Sequence, residues 1–249
     1  KKNMNQVKIS VITVCYNCQD TLPKTIESVL GQTYDDIEYI IVDGLSTDKT
    51  VEVAESYRNK LLDRGYSVII RSEEDGGIYD AMNKGIALSG GNLVGFLNSG
   101  DWYEPEAVEK VAETYQNVGF DMFYADLRIL KRSGVMIKHA RLRRYITTRD
   151  WNHPTTFITQ EVYRHYKYAC RGIYDDWDLV LRIRRAGYKI VILNEVLANF
   201  CFGGISNQKN LRKAMKRCME RYRIYRENGY SRFYLLECVA MEAVKYLLA

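Results

Sequence analysis

The first hundred residues alternate between short β-branched runs and longer stretches whose apolar residues recur at helical spacing. The predicted strands cover residues 7–14, 37–42, 66–70 and 93–97. Segments between them, such as 21–30 and 78–88, predict helices. Hydrophobic strands joined by such helices indicate an α/β fold, with a mostly parallel sheet flanked by helices.

Polar residues follow three of these strands where each strand ends: Tyr16-Asn17, Asp43-Gly44 and 98–101 (NSGD). Ligands of parallel sheets bind beyond the carboxyl ends of the strands, so the chemistry is expected at these residues. No G-x-G-x-x-G motif follows the first strand, which excludes the usual dinucleotide fingerprint. The pattern therefore predicts a nucleotide that is held in another way.

After Asp101 the pattern is more mixed. It predicts helices over 104–115 and 178–186, strands over 120–124 and 189–193, and an irregular basic segment over 127–150. From residue 209 it predicts two helices that break at Asn228-Gly229. This tail holds 10 Lys and Arg against 4 Glu, while the whole chain has a net charge of +5. We accordingly divide the chain into an α/β domain over 1–208 and a basic amphipathic helical tail over 209–249.

Three features of the sequence predict a cytoplasmic location. The chain enters its first strand without the pattern of a signal peptide, and no apolar run reaches the ~18 residues of a membrane span. The six cysteines are scattered, and the C-x-x-C at Cys15 and Cys18 lacks the second pair that a zinc site needs. Free thiols in a reducing compartment are therefore the expected state.

Six segments combine these strand ends with the helices that follow them. They are 10–17 (SVITVCYN), 28–33 (SVLGQT), 41–48 (IVDGLSTD), 77–86 (GIYDAMNKGI), 96–101 (FLNSGD) and 175–182 (DDWDLVLR). In this order they resemble the family 2 glycosyltransferases, which are inverting enzymes of the GT-A fold. The resemblance covers about residues 7–205. It implies a Rossmann-like sheet and the transfer of a hexosyl group from a nucleotide diphosphate sugar to a hydroxyl of a glycan or lipid-linked glycan.

The resemblance assigns the donor nucleotide to the first two strand ends. Val14 and Tyr16 would line the nucleobase pocket, and the Asp43 carboxylate would accept a hydrogen bond from an N–H of the base. Uracil and guanine both offer such a group, and we favour UDP over GDP. The alternative for Asp43 is a turn in which its carboxylate bonds to nearby backbone. The commoner family pattern at this point is Asp-Asp, whereas here Gly44 follows the first acid.

A second donor contact is implied for the helix predicted over 78–88. Asp80, Asn83 and Lys84 share one face of this helix because of their spacing. In the family this face looks toward the donor, so Lys84 would neutralise phosphate charge and Asn83 would bond to ribose or phosphate. The alternative is a solvated helix face.

The segment 98–101 stands where the family has its metal-binding acidic motif. Asp101 is its only acid, and Asn98 would face the ribose. A divalent ion stabilises the charge of a leaving diphosphate, and hard oxygen ligands suit Mg²⁺ or Mn²⁺. We therefore expect Asp101 to bind Mn²⁺ or Mg²⁺ together with diphosphate oxygens and water.

The pair Asp175-Asp176, ahead of a predicted helix, is implied to supply the catalytic base. Inverting transfer needs one carboxylate to remove the proton of the acceptor hydroxyl. The second member of the family's acidic pair has that role, which favours Asp176 over Asp175. Asp178 is expected to be a first-turn acid of the helix. The alternative for the whole cluster is an N-terminal cap.

Aromatic residues are the candidate acceptor contacts, because aromatic faces stack on sugars. They are Trp102, His153 and Trp177, and packing is the alternative role for each. The segment 203–206 (GGIS) is either a mobile loop over the diphosphate or a tight turn.

The resemblance leaves the donor sugar open, and we expect galactose or an N-acetylhexosamine, used in surface polysaccharide or O-antigen assembly. A catalytically inactive sugar-nucleotide-binding protein is an alternative, since 98–101 holds a single acid. A nucleic-acid-binding module would fit the basic tail but leaves the six segments unexplained, so we expect no nucleic acid. For residues 209–249, docking on the anionic inner face of the cytoplasmic membrane, packing on the α/β domain and a self-association surface all stay open.

Overall fold

A computed structural model of the chain describes residues 7–131, 134–201 and 211–248. Within these residues nine strands form one mixed sheet, and helices cover both of its faces. The strands are β1 (Ile9–Cys15), β2 (Ile37–Asp43), β3 (Ser67–Ser72), β4 (Leu93–Phe96), β5 (Trp102–Tyr103), β6 (Met122–Lys131), β7 (Gly134–Lys138), β8 (Phe157–Thr159) and β9 (Ile190–Cys201). The helices are α1 (Leu22–Leu30), α2 (Thr50–Ser56), α3 (Arg58–Asp63), α4 (Ile78–Leu88), α5 (Ala107–Val118), α6 (Gln160–His165), α7 (Asp175–Arg185), α8 (Leu211–Glu227) and α9 (Tyr234–Leu248).

The strands run across the sheet in the order β3-β2-β1-β4-β8-β6-β9-β5, and β7 pairs with β6 as a hairpin. Neighbours among the first four strands pair in parallel. β8 is antiparallel to β4 and β6, whereas β6 and β9 are parallel. The alternating pattern thus predicted the first half of the sheet correctly, and the carboxyl ends of β2, β1 and β4 lie side by side.

Side chains of β1 alternate between two buried faces. Ile9 and Val11 pack on the face covered by α1 and α5, while Ile12 and Val14 pack on the face covered by α4 and α7. A Cβ at Gly85 of α4 would lie 2.6 Å from a methyl carbon of Ile12. The absence of a side chain at this position therefore allows α4 to lie close against β1.

The first of the two C-terminal helices packs against α7, and the second packs on the first. Arg221 of α8 is 1% exposed, and its guanidinium bonds to Glu242 of α9 at 2.5 Å. The ring of Tyr225 packs edge-on against Trp177, with 6.1 Å between their centres. The inner side of α8 is thus part of the hydrophobic core on this face of the sheet.

Two strands extend further than the sequence predicts. β6 continues into the segment 127–150, which we expected to be irregular, and pairs there with β7. Leu127 and Ile129 are buried in it, but Arg128 lies between them and Leu130-Lys131 follow, so the segment lacks a regular apolar alternation. β9 continues to Cys201, well beyond the predicted strand. The sequence pattern does not show this continuation, because register shifts opposite Asp126 interrupt the alternation midway along the strand.

Candidate active site

Asp43 ends β2 next to the end of β1 and is 1% exposed. One oxygen of its carboxylate accepts hydrogen bonds from the Ser46 backbone N–H at 3.0 Å and from the Ser72 hydroxyl at 2.7 Å. The Ser46 hydroxyl donates to the other oxygen. Asp43 therefore makes the turn that was its alternative role, and its contact with a nucleobase stays a prediction.

Of the two residues predicted to line the nucleobase pocket, Tyr16 is exposed and Val14 is buried. Tyr16 is 63% exposed at the end of β1, so its ring is available to a base. Val14 packs in the core beneath α4, so it can offer a ligand only backbone atoms.

An acid that the sequence analysis missed lies over the same end of the sheet. Asp75 follows β3, and a Cβ at Gly44 would lie 2.4 Å from its carboxylate oxygen Oδ2. Its Oδ1 accepts a hydrogen bond from the Gly77 N–H at 2.8 Å. The Asp-Gly-Gly that follows a predicted strand was the signal for it. The loop after β3 thus places the Asp75 carboxylate against Gly44, the residue that stands where the family more commonly has its second acid.

The three predicted residues of α4 have partners within the protein. Lys84 forms ion pairs with Asp80 at 3.5 Å and Glu73 at 3.6 Å, and Asp80 also accepts a backbone N–H of the loop after β3. Asn83 faces another segment, since its amide donates to the Tyr168 carbonyl at 2.9 Å and accepts from the Tyr168 N–H at 3.1 Å. Asp80 and Lys84 thus hold the loop after β3, whereas Asn83 holds the segment leading into α7.

The loop 98–101 after β4 is held by a residue of α1. The Thr25 hydroxyl accepts from the Gly100 N–H at 3.0 Å and donates to the Asp101 carbonyl at 2.7 Å. The Asp101 side chain is buried, and this burial raises its pKa to about 7. The amide oxygen of Asn98 is also buried and has no hydrogen-bond partner among the described residues.

Asn98 and Asp101 fit a divalent cation. A hard cation would satisfy the unpaired amide oxygen and offset the cost of burying the carboxylate charge. No group of three or more His, Cys, Asp and Glu side chains in the described part of the chain can hold a metal ion. The two residues would therefore supply part of the shell, and diphosphate oxygens and water the rest. A bound Mn²⁺ or Mg²⁺ stabilises the charge of a leaving diphosphate.

The two candidate bases differ in their environment. α7 begins at Asp175, three residues earlier than predicted, so both acids lie in its first turn. Asp175 is buried, and its carboxylate accepts the backbone N–H groups of Arg171 and Gly172, which closes the loop ahead of the helix. Asp176 is half-buried, and burial raises its pKa to about 6. This contrast favours Asp176 as the base, because Asp175 is committed to the loop.

Asp176 and His153 line one small cavity. The His153 ring lies between Phe96 and Trp151, at 6.0 Å and 5.7 Å from their ring centres. Burial lowers the pKa of His153 to about 4, so its ring is neutral at neutral pH. Phe96 ends β4, directly before the loop that carries Asp101. The cavity therefore places the candidate base beside the strand that leads into that loop.

The two tryptophans predicted at the acceptor have different surroundings. Trp102 is half-buried in β5, and the Lys24 ammonium lies 3.0 Å from the centre of its ring. Trp177 is 1% exposed and packs on Trp151 and on α8. The prediction for Trp177 is wrong, because a ring buried in the core cannot stack on a sugar. The candidate loop 203–206 lies outside the described residues.

Two solved structures share this architecture. Residues 1–349 of S. aureus TarS, in complex with UDP-GlcNAc, align with a TM-score of 0.69, 17% identity, 96% of this chain and 72% of that chain. The mannosyltransferase PcManGT from Pyrobaculum calidifontis, in complex with GDP-Man and Mn²⁺, aligns with a TM-score of 0.69, 14% identity, 96% of this chain and 70% of that chain. The fold is therefore the GT-A fold, as the sequence predicted.

Sequence similarity identifies the family. The model for "Glycosyl transferase family 2" matches residues 10–175. A "PGL/p-HBAD biosynthesis glycosyltransferase" of Mycobacterium bovis is 30% identical over 210 residues, which are 80% of this chain and 78% of that protein. The chain belongs to glycosyl transferase family 2 and is a glycosyltransferase, which confirms the resemblance drawn from its six segments.

Proposed function

We propose that this enzyme transfers a hexosyl group, with inversion, from a UDP-sugar to a hydroxyl of a glycan or lipid-linked glycan. The observation that carries the proposal is the half-buried Asp176, which lines a cavity beside the strand that leads to Asp101. TarS with UDP-GlcNAc and the relative named for PGL/p-HBAD biosynthesis support it. We retain galactose or an N-acetylhexosamine as the sugar, and surface polysaccharide or O-antigen assembly as the setting.

In the proposed reaction, Asp176 and Asp101 have different roles. The acceptor oxygen forms a bond to the anomeric carbon while the bond from that carbon to the diphosphate breaks. The acceptor proton passes to Asp176, whose raised pKa suits a base that works near neutral pH. Asp101 would hold a divalent cation, with the Asn98 amide oxygen as a second ligand, and that cation would neutralise the charge of the leaving diphosphate. The neutral ring of His153 and the half-buried Trp102 are available to orient the acceptor.

We expect UDP-sugars to stabilise the protein in the presence of Mn²⁺. At a donor concentration of about 100 times its Kd, binding raises the free energy of unfolding by about 2.7 kcal/mol. The melting temperature of a domain of this size should then rise by several degrees, roughly 5–11 °C. Thermal-shift measurements with UDP-galactose, UDP-GlcNAc and GDP-mannose, with and without Mn²⁺, test this expectation.

Two exposed tyrosines provide matched variants for that measurement. Tyr16→Ala removes the ring at the proposed nucleobase pocket and should reduce the shift, whereas Tyr145→Ala removes an exposed ring elsewhere and should not. A larger shift with GDP-mannose would contradict the choice of UDP. Binding without any release of UDP in the presence of glycan acceptors would favour the inactive alternative.

We also propose that the α8–α9 pair docks on an anionic membrane surface. Exposed cations lie along α8: Arg212, Lys213, Lys216, Arg223 and Arg226. Exposed apolar side chains lie on α9 and just before it: Phe233, Leu235, Leu236, Val239 and Val244. No charged side chain is exposed among those described in α9. Cations beside an apolar face suit a helix pair in the headgroup region of anionic lipid.

The inner sides of these helices face the protein, so the docking surface is their outer side. Tyr225 and Arg221 are buried against α7 and α9, and ending the chain before α8 would expose core residues. Point substitutions at exposed positions are therefore the better test. None of the described helices is long and apolar enough to cross a bilayer.

We expect Leu236→Gln with Val239→Gln to weaken binding to vesicles that contain phosphatidylglycerol by at least about tenfold, because burying each side chain contributes about 1.5–3 kcal/mol. The control is Leu62→Gln with Val118→Gln, which changes an exposed Leu and an exposed Val on α3 and α5. Co-sedimentation at low salt measures the affinity. Equal binding of both double variants, or no binding of the parent, would refute membrane docking.

A further inference from the structure

A second cavity of the protein is an open cleft of about 470 Å³ between α7, the segment ahead of it and the end of α8. The charged groups of its lining are Arg171, Asp178, Arg182, Arg185 and Glu227. The volume lies within the range of sites that bind small molecules. The cleft therefore has both the size and the charged groups that a ligand site needs.

This cleft and the cavity that holds Asp176 lie on opposite faces of α7. Asp178, Arg182 and Arg185 follow one another at spacings of four and three residues, so they form one stripe of the helix. Asp176 lies two residues before Asp178, which is roughly 200° around a helix of 3.6 residues per turn. A ligand in the cleft is thus separated from Asp176 by the width of the helix, about 10 Å, and takes no part in the proton transfer.

Two of the three arginines in the cleft are held by its acids. Arg182 pairs with the buried Asp178 at 2.9 Å, and Arg171 pairs with Glu227 at 3.0 Å. Arg185 is exposed and forms no ion pair with any acid that the structure describes. The charged lining therefore has one excess positive charge, and Arg185 carries it.

The Arg185 guanidinium lies beside the turn that follows α8. A Cβ at Gly229 would lie 3.6 Å from its Nη1 atom, so a residue with a side chain would stand against the guanidinium there. The single excess charge matches a carboxylate, which an arginine binds through bidentate hydrogen bonds. The cleft thus offers a site for one carboxylate of a ligand.

The uncharged part of the lining suits a sugar ring. The half-buried ring of Tyr166 lines the cleft, and an edge contact with Tyr188, with 5.7 Å between the ring centres, holds it in place. Aromatic rings pack on the apolar faces of sugars. The Asn228 amide and the Glu227 carboxylate also line the cleft, and such groups form hydrogen bonds with hydroxyls.

We propose that the cleft binds a saccharide that carries a carboxylate, such as a uronic acid unit. Arg185 holds the carboxylate, and Tyr166 packs on the sugar ring. The site would hold part of an acidic glycan away from the hydroxyl that reacts. Because it concerns binding alone, the proposal does not depend on Asp176 being the base.

The test is calorimetric titration of the full chain, without donor, with a tetrasaccharide that alternates glucuronic acid and N-acetylglucosamine. Arg185→Gln should weaken binding by about 10- to 100-fold, because it removes a hydrogen-bonded charge pair. Arg144→Gln is the matched control, since it removes the same charge from an exposed arginine on another segment. It should bind like the parent. Arg185 has no ion pair to lose, so Arg185→Gln should keep the parent melting temperature.

Two further comparisons identify the chemistry of the ligand. The same tetrasaccharide with its carboxylates reduced to alcohols should bind the parent at least about tenfold more weakly, and Arg185→Gln should not weaken it further. Tyr166→Leu should weaken binding of the acidic tetrasaccharide but not of inorganic phosphate. Phosphate that binds as tightly as the tetrasaccharide would contradict a saccharide site.

Several results would overturn the proposal. They are no binding of the acidic tetrasaccharide, equal binding of it by the parent and Arg185→Gln, and equal loss in Arg185→Gln and Arg144→Gln. Loss of binding to phosphatidylglycerol vesicles in Arg185→Gln, with saccharide binding unchanged, would assign the cleft to a lipid headgroup instead. A parent that binds the tetrasaccharide but transfers no sugar would refute the proposed function and leave the saccharide site standing.

Discussion

Asp176→Asn is expected to lose sugar transfer by a factor of about 10²–10⁴ while it keeps its affinity for the donor, because the amide cannot accept the acceptor's proton. Initial rates of transfer, together with donor affinity from calorimetry, measure the two effects separately. The parent rate should also fall as the pH drops below about 6, since burial raises the pKa of Asp176 to about 6 and a protonated carboxyl is no base.

Asp175→Asn is the control for this prediction. Asp175 accepts two backbone N–H groups from the loop ahead of α7, so its substitution should lower the melting temperature more than the chemical step. Loss of transfer in Asp175→Asn with unchanged turnover in Asp176→Asn would move the base one residue upstream.

Asp101→Ala is expected to reduce the metal-dependent affinity for the donor by about 100-fold or more. The variant should still fold. Asp101 is the acid of the 98–101 loop, and its carboxylate is buried with a raised pKa. Removing this buried carboxylate should cost the free protein little stability, because its burial opposes its charge. Calorimetric titration of a UDP-sugar with and without Mn²⁺ measures the effect.

The comparison for Asp101 is Asp63→Ala at the exposed end of α3, which should behave like the parent. Asp101→Asn adds a variant of equal size that lacks the charge. If either substitution at Asp101 leaves the metal dependence of donor binding unchanged, Asp101 is not the metal ligand.

Local pattern was sufficient for the parallel half of the sheet and for the order of its strand ends. β1, β2 and α4 have strong periodicity, and their positions agree with the prediction to within about two residues, the usual uncertainty of such boundaries. The loop 98–101 and the pair Asp175-Asp176 were found because motifs at strand ends and helix starts are local in sequence.

The sequence pattern did not predict contacts between distant segments of the chain. Helical spacing put Asn83 on the same face as Asp80 and Lys84, but only the structure shows that Asn83 turns toward Tyr168. Asp75 was not predicted because its carboxylate lies against Gly44, which follows a different strand. Such assignments depend on which elements pack together, and a single sequence does not encode that in its local pattern.

The burial of Trp177 beneath α8 has a consequence for the order in which the molecule is built. A ribosome makes α7 well before α8, and Asn228, which bonds to Asp178 at 2.8 Å, follows it by 50 residues. Until those residues emerge, Trp177 and Asp178 of the nascent chain have only part of their packing. The parallel half of the sheet can pair during this interval, but α7, which carries Asp176, reaches its final setting late. The packing of α7 is thus completed only when the helices proposed to meet the membrane emerge.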